Sequence, residues 1–215
     1  MTSLELMTLE VQVWVGSLAV NDERYKELSA NLPADERTRA ESMTPIAARR
    51  FVVARGILRK LLSGFTGIAP AKIEFSYGVS GKPMLSNHHE IHFNISHSAE
   101  LGLFAFSPDR PVGVDVENDR PVRRLLDVAQ RFMSEDELRA LAGTAAGERN
   151  AAFLRSWVIR EARLKAEGKG VWSGTAQSGP ESRLTHRLFT PRPNYIAAVA
   201  APDSDWRLFT CAIKD

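Results

Sequence analysis

Three short runs of this chain carry side chains that could do chemistry. In Val112-Gly113-Val114-Asp115-Val116-Glu117 the valines alternate with a glycine and two carboxylates. On a strand the valines would share one face, and Gly113, Asp115 and Glu117 the other. Two carboxylates side by side repel unless a cation lies between them, and a glycine beside them leaves room for a ligand. Further on, Leu154, Val158, Glu161 and Lys165 fall on one stripe of a helix, which sends a carboxylate and an ammonium to the same place. In Phe93-Asn94-Ile95-Ser96-His97-Ser98, Phe93 and Ile95 face a core, while Ser96 and His97 end the strand in a turn. Hydroxyl, imidazole and free backbone N–H groups gathered there suit an anion.

Each run also has an ordinary reading. A bare D-x-E is commonly a solvated strand face. A Glu four residues ahead of a Lys is the favoured orientation of a surface pair contributing roughly 0.3 kcal/mol. A histidine at a strand end is commonly structural and hydrogen-bonded.

The elements that must carry these runs follow from periodicity. Alternation over Val11, Val13 and Val15 predicts a first strand with one buried face. Asn21 or Asp22 can cap a short helix, and residues 33–42 read as a second, with Pro33 near its first turn. Residues 46–62 carry Phe51, Ala54, Ile57, Leu58, Leu61 and Leu62 at helical spacing, ended by Ser63 and Gly64. Residues 72–77 are strand-like and 78–83 a turn. Strands are then predicted at 91–96, 101–107 and 112–117, for which a meander is the simplest topology. Helices follow at about 122–131, 134–142 and 148–167, the last stopped by Gly168 and Gly170, and three short strands lie between Leu184 and Ile213. The order strand, helices, long helix, strand thus occurs twice, which hints at two similar halves joined near residues 107–112.

Bulk properties narrow the class. A length of 215 residues permits one large domain or two small ones, and 44% hydrophobic with 25% charged residues is an ordinary globular composition. The net charge is only +2, from 28 Lys and Arg against 26 Asp and Glu, so composition does not indicate nucleic-acid binding. Cys211 is the single cysteine, which rules out an intrachain disulfide and suits a reducing compartment. The N-terminal stretch contains Glu5 and Glu10 and does not resemble a signal peptide, and no apolar stretch of about 18 residues could span a membrane. A cytoplasmic protein is expected.

Together, and in order, FNISHS, GVDVE and WVIREARLK resemble the motifs of the 4′-phosphopantetheinyl transferase family of the Sfp type, with E-G-K-G following the last as in relatives. The resemblance is specific from about Gly81 to Gly170, weaker before and sparse after. It implies an α+β fold of two pseudo-twofold halves, each a small, largely antiparallel sheet packed against a long helix. Residues 1–109 would form the adenosine- and phosphate-binding half, and 110–215 the metal-binding and catalytic half, with the active site between them. It further implies that Asp115, Glu117 and Glu161 hold Mg²⁺, which prefers a few carboxylate oxygens with phosphate and water completing an octahedron. Lys165, Ser96 and His97 would contact the phosphates of coenzyme A. Lys82, in Gly81-Lys82-Pro83, resembles a lysine that meets a coenzyme A phosphate, Arg50 stands where relatives carry an adenosine-phosphate arginine, and Arg37 follows by its spacing from Arg50. For Arg49, Arg50, Arg55 and Arg59 a solvated helix face is the alternative. Arg160 replaces the lysine usual in relatives, keeping charge but not shape. The implied activity is transfer of the phosphopantetheine arm of coenzyme A to a serine of an apo acyl or peptidyl carrier protein by a monomeric enzyme, with Glu161 accepting the serine proton. The carrier contact is expected at Arg120, Arg123, Arg124 and Arg131. A metal-dependent phosphohydrolase or nucleotidyl transferase, and a member that only binds, are the competing readings.

Overall fold

Val11, Val13 and Val15 are buried on one face of β1 (Glu10–Ser17), as their alternation predicts. The structure, a computed structural model, describes residues 4–78, 81–88, 90–169 and 183–214. Helices α1 (Asp22–Ala30), α2 (Ala34–Glu41) and α3 (Pro45–Thr66) follow, α1 being capped where Asn21 Oδ1 accepts the Arg24 N–H at 2.8 Å. α3 does not stop at Ser63 and Gly64. Gly64 is helical because the N-terminal segment lies on it: a Cβ there would come within 2.8 Å of Leu4 Cδ1, and the Leu4 N–H donates to its carbonyl at 3.1 Å. The stop is Gly67, whose φ of 73° suits a residue without a Cβ.

The chain then forms a hairpin, β2 (Phe75–Tyr77) and β3 (Pro83–Leu85), followed by β4 (His92–Ser98), β5 (Leu101–Ser107) and β6 (Gly113–Asn118). The expected meander does not form. β4 and β5 pair antiparallel in a sheet of order β4-β5-β1-β9, whereas β6 begins a second sheet of order β6-β8-β7. Between them come α4 (Leu125–Ala129), α5 (Glu135–Gly143) and α6 (Ala146–Ala166), then β7 (Leu184–Phe189), β8 (Tyr195–Pro202) and β9 (Arg207–Ala212). α4 is shorter than expected because the Val122 N–H is taken by Asn150 Oδ1 at 2.9 Å and Arg124, at φ 53°, breaks the helical path. α6 ends with Gly168 at φ 69°; Gly170 lies outside the described residues. Three strands close the chain as predicted, but the third crosses back to pair parallel with β1.

The two sheets face each other across a core of Val11, Val13, Val15, Leu101 and Leu103 from one and Val112, Val114, Val116 and Val199 from the other. Their outer faces each receive a long helix. Phe104 and Phe106 meet Val53, Ile57 and Leu61 of α3, and Ala198 and Ala200 meet Val158 and Ala162 of α6. This is the expected α+β arrangement of small, largely antiparallel sheets under long helices.

The contact that brings the second helix to its sheet is made at Gly113. A Cβ at that position would lie 2.0 Å from the Ala162 carbonyl oxygen and 2.3 Å from the Ala166 nitrogen, so strand and helix touch backbone to backbone. The room expected there for a ligand is occupied by α6. Gly113→Ala must therefore push β6 away from α6 and should cost roughly 2–3 kcal/mol or more. Gly147→Ala, where a Cβ meets nothing within 4 Å, should instead stabilise the protein, by about 0.5 kcal/mol. Thermal unfolding of the two variants beside the parent measures both, and equal melting temperatures would remove the close approach from the account.

Candidate active site

β4 and β6 are the edges of their sheets, and they run side by side without a backbone ladder. Alternate residues of β4 reach across instead. Asn94 Oδ1 accepts the Val114 N–H at 2.9 Å, and Ser98 Oγ accepts the Asn118 N–H at 3.1 Å. Ser96 Oγ donates to Asp115 Oδ1 at 2.8 Å, and Ser98 Oγ to Glu117 Oε2 at 2.9 Å. Ser96 and His97 thus lie within a continuous strand, paired with Leu103 and Gly102, and not in the expected turn.

The close approach at Gly113 lets α6 deliver its polar stripe to the same place. Lys165 Nζ lies 2.7 Å from Asp115 Oδ1 and donates also to Ser96 Oγ at 3.1 Å and the Val114 carbonyl at 3.3 Å. The carboxylate partner of Lys165 is therefore Asp115 on the strand, and not Glu161 one turn away. Asp115 and Glu161 are only 5% and 4% exposed, so the solvated-face readings of both runs fail. Burial raises the Glu161 carboxyl above its ordinary range, with the Asp115 charge adding to it. Glu117 is raised in the same way, chiefly by burial, against the pull of the Ser98 hydroxyl.

Asp115 Oδ2 and Glu161 Oε1 are buried without a hydrogen-bond partner. Unsatisfied carboxylate oxygens of this kind are expensive, and they fit a hard divalent cation, which takes oxygen ligands. Among the described residues, no three acidic, histidine or cysteine side chains are drawn together closely enough to form a ready cation cage. The donor chemistry fits a divalent ion even so.

Beside this centre a cleft of about 420 Å³ opens between the hairpin, α2, α3 and β4, lined among others by Arg39, Arg50, Arg55, Tyr77, Pro83 and His97. His97 lines the cleft, where burial lowers its imidazole pKa most, and the charges of Lys165 and Arg50 lower it further. Arg50 and His97 thus come together as expected. Arg37 is exposed on α2 and does not line the cleft; Arg39, two residues on, does. Lys82 also stands apart, its ammonium donating to the backbone carbonyls of Val112 at 2.9 Å and Lys165 at 2.6 Å.

Arg55 and Arg59 are not on a solvated face. Both are buried and share Glu36, at 3.0 and 2.7 Å, while Arg55 also donates to the Tyr77 hydroxyl at 2.8 Å and Arg59 to the carbonyls of Pro70 and Ile73. Periodicity could have flagged Arg55, one turn after Phe51 on the helix face that lines the cleft. The alternation Asn94, Ser96, Ser98 was the visible signal for the polar edge of β4. Arg160 places its guanidinium 5.7 Å from the Phe132 ring centre, a stacking that a lysine would make differently.

Comparison with known proteins places this arrangement. A family model described as the 4′-phosphopantetheinyl transferase superfamily matches residues 111–211, and one described as 4′-phosphopantetheinyl transferase, N-terminal, matches residues 19–109. The chain is 32% identical over 222 residues to the 4′-phosphopantetheinyl transferase HetI of Nostoc sp., covering 95% of this chain and 93% of that protein. It is 30% identical over 173 residues to psf-1 of Bacillus pumilus, covering 79% and 73%. With Sfp of Bacillus subtilis it shares 32% identity over 124 residues, covering 58% and 54%.

The two readings of Glu161 predict opposite signs. If it is a buried, under-satisfied carboxylate beside Asp115, Glu161→Gln should stabilise the protein in EDTA, by about 1 kcal/mol or 2–4 °C. Excess Mg²⁺ should then raise the melting temperature of the parent more than that of the variant. A surface pair with Lys165 predicts instead a loss of roughly 0.3–0.5 kcal/mol on the same substitution, with no dependence on the metal.

Proposed function

The chain belongs to the 4′-phosphopantetheinyl transferase superfamily, and we propose on that footing that the carboxylate centre and the cationic cleft work as one site. The enzyme transfers the 4′-phosphopantetheine arm of coenzyme A to a carrier protein. The observation that carries the proposal for the site is the contact of Lys165 on α6 with Asp115 on β6, with under-satisfied oxygens on Asp115 and on the buried Glu161, while Arg50 and His97 line the neighbouring cleft.

Asp115, Glu117 and Glu161 would hold Mg²⁺. When bound, the ion supplies positive charge to the pyrophosphate oxygens and polarises them. In the reaction the carrier serine Oγ attacks the β-phosphorus of coenzyme A, the bond from that phosphorus to the bridging oxygen breaks, and 3′,5′-ADP leaves. The serine proton goes to Glu161, directly or through a water, and burial, which raises the proton affinity of that carboxyl, favours the role. Lys165, with Ser96 beside it, stands where charge gathers on the leaving phosphate. Arg50 and His97 bind the nucleotide phosphates from the cleft, where Arg39 adds charge that we place ahead of Arg37.

The carrier contact would lie beyond Glu117. A smaller cleft of about 200 Å³ there is lined by Glu117, Arg120, Val122, Val128 and Trp157, and Arg123, Arg124, Leu126 and Arg131 are exposed around it. Cations mixed with exposed apolar groups suit an acidic helical partner. Among the described residues no helix is long and apolar enough to cross a membrane. We place the enzyme in the cytoplasm as a monomer, in keeping with its single cysteine.

Incubation with Mg²⁺, coenzyme A and a panel of apo-carriers should give a mass gain of the arm together with 3′,5′-ADP. Release of the nucleotide without a carrier would favour a hydrolase. Glu161→Gln and Asp115→Ala should lower kcat at least about a hundredfold, and Lys165→Ala should slow transfer in a way added Mg²⁺ does not restore. Rates within about threefold of the parent would return α6 to a structural role.

The nucleotide side is tested by dephospho-coenzyme A, which lacks the 3′-phosphate and should bind about tenfold more weakly than coenzyme A. Arg50→Ala should narrow that gap. An undiminished preference in the variant would take Arg50 out of the phosphate site.

A further inference from the structure

Lys82 precedes β3 in the hairpin of the first half, yet both groups it binds belong to the second. Its Nζ donates to the carbonyl of Val112, just before β6, and to that of Lys165, in the last turn of α6. Those two carbonyls flank the place where Gly113 meets the α6 backbone. Backbone bonds close the α6 terminus, among them Glu167 N–H to the Arg163 carbonyl at 3.1 Å, Gly168 N–H to the Lys165 carbonyl at 3.2 Å and Lys169 N–H to the Leu164 carbonyl at 2.9 Å. The Lys82 ammonium also donates to Lys165 O, a position where the negative end of the helix favours a cation. From that same residue the Lys165 side chain extends to Asp115 Oδ1.

We propose that Lys82 is a positioning residue that ties the first half to the β6–α6 contact and so sets Lys165 against Asp115, and that it is not a phosphate ligand of coenzyme A. Three observations favour this over the role its sequence motif suggests. Two of the three ammonium protons are already committed to carbonyls, 30 and 83 residues distant in sequence. Lys82 is absent from the cleft lining although its neighbours Gly81 and Pro83 are present. Burial pushes its pKa down to about 8, which marks a group withdrawn from solvent and not one presented to it.

The inference rests on the proposed function for its kinetic arm alone, so the test has two arms. In the first, amide hydrogen exchange is compared between the parent and Lys82→Met without any ligand. Exchange at the end of α6 and the start of β6 should quicken about tenfold or more, and unchanged protection there would overturn the proposal. In the second, the variant should lose about tenfold in kcat while KM for coenzyme A and the preference over dephospho-coenzyme A stay within about twofold. A raised KM with a collapsed preference would make Lys82 a phosphate ligand, and an unchanged kcat would reduce it to a structural tie; either overturns the proposal. Should Lys82→Met not fold, Lys82→Gln, which keeps an N–H donor but is shorter, is read in both arms in the same way. If the parent itself neither binds coenzyme A nor transfers the arm, the proposed function fails, while the exchange arm still decides whether Lys82 holds the two halves together.

Discussion

Two sheet edges meet in the middle of this protein, and three short polar side chains join them where a backbone ladder would otherwise run. An unpaired edge strand presents N–H groups that must find partners or invite another chain. Here Asn94 and Ser98 satisfy the Val114 and Asn118 N–H groups of β6, and because they are side chains they leave a gap between the strands that a ladder would have closed. The same row of hydroxyls orients Asp115 and Glu117. The seam therefore does two things at once: it closes the fold and it fixes the direction of the acidic groups.

That solution loads one place with charge. Asp115 and Glu161 sit almost out of reach of water, and two of their oxygens have no hydrogen-bond partner. Such groups raise the energy of the folded chain, so they persist only where something repays the cost. Lys165 repays part through its contact with Asp115 Oδ1. Among the described residues no hydrogen bond offsets the remainder, and the chemistry of this donor set fits a hard divalent cation. Gly113 makes the arrangement possible, since only a residue without a Cβ lets the backbone of α6 come close enough to bring Glu161 and Lys165 to the seam.

The wall of the cleft beside the seam is held by a different set of contacts. Glu36 is shared by two buried guanidiniums, which anchors α2 to α3 and leaves one positive charge in excess under the cleft wall. A buried ion pair is weak evidence of stability but specifies geometry well, because each partner left alone would be a costly buried charge. Arg55 passes that order on to Tyr77 through a hydrogen bond to its hydroxyl. The cleft wall is thus built on packed side chains, with Arg39, Arg50 and His97 among its lining residues.

Much of this was legible in the amino-acid sequence. The alternation of Val11, Val13 and Val15, the helical stripe of Leu154, Val158, Glu161 and Lys165, and the three motifs are local patterns, and local patterns report which face of an element is apolar and which polar groups share the other face. The family and the α+β class could be read at that level. Three things could not. The departure of β6 into a second sheet and the return of β9 to the first are choices among strand partners far apart in the chain, where the alternation is equally satisfied by a meander. The role of Gly113 depends on what faces it, and periodicity cannot tell a ligand from the backbone of α6. The fate of each cation was likewise settled by distant partners: Arg55 and Arg59 by Glu36, Lys82 by the carbonyls of Val112 and Lys165. A charged side chain has much the same propensity on the surface as in a buried pair, so only the packed structure, which supplies or withholds the partner, decides which of the two it becomes.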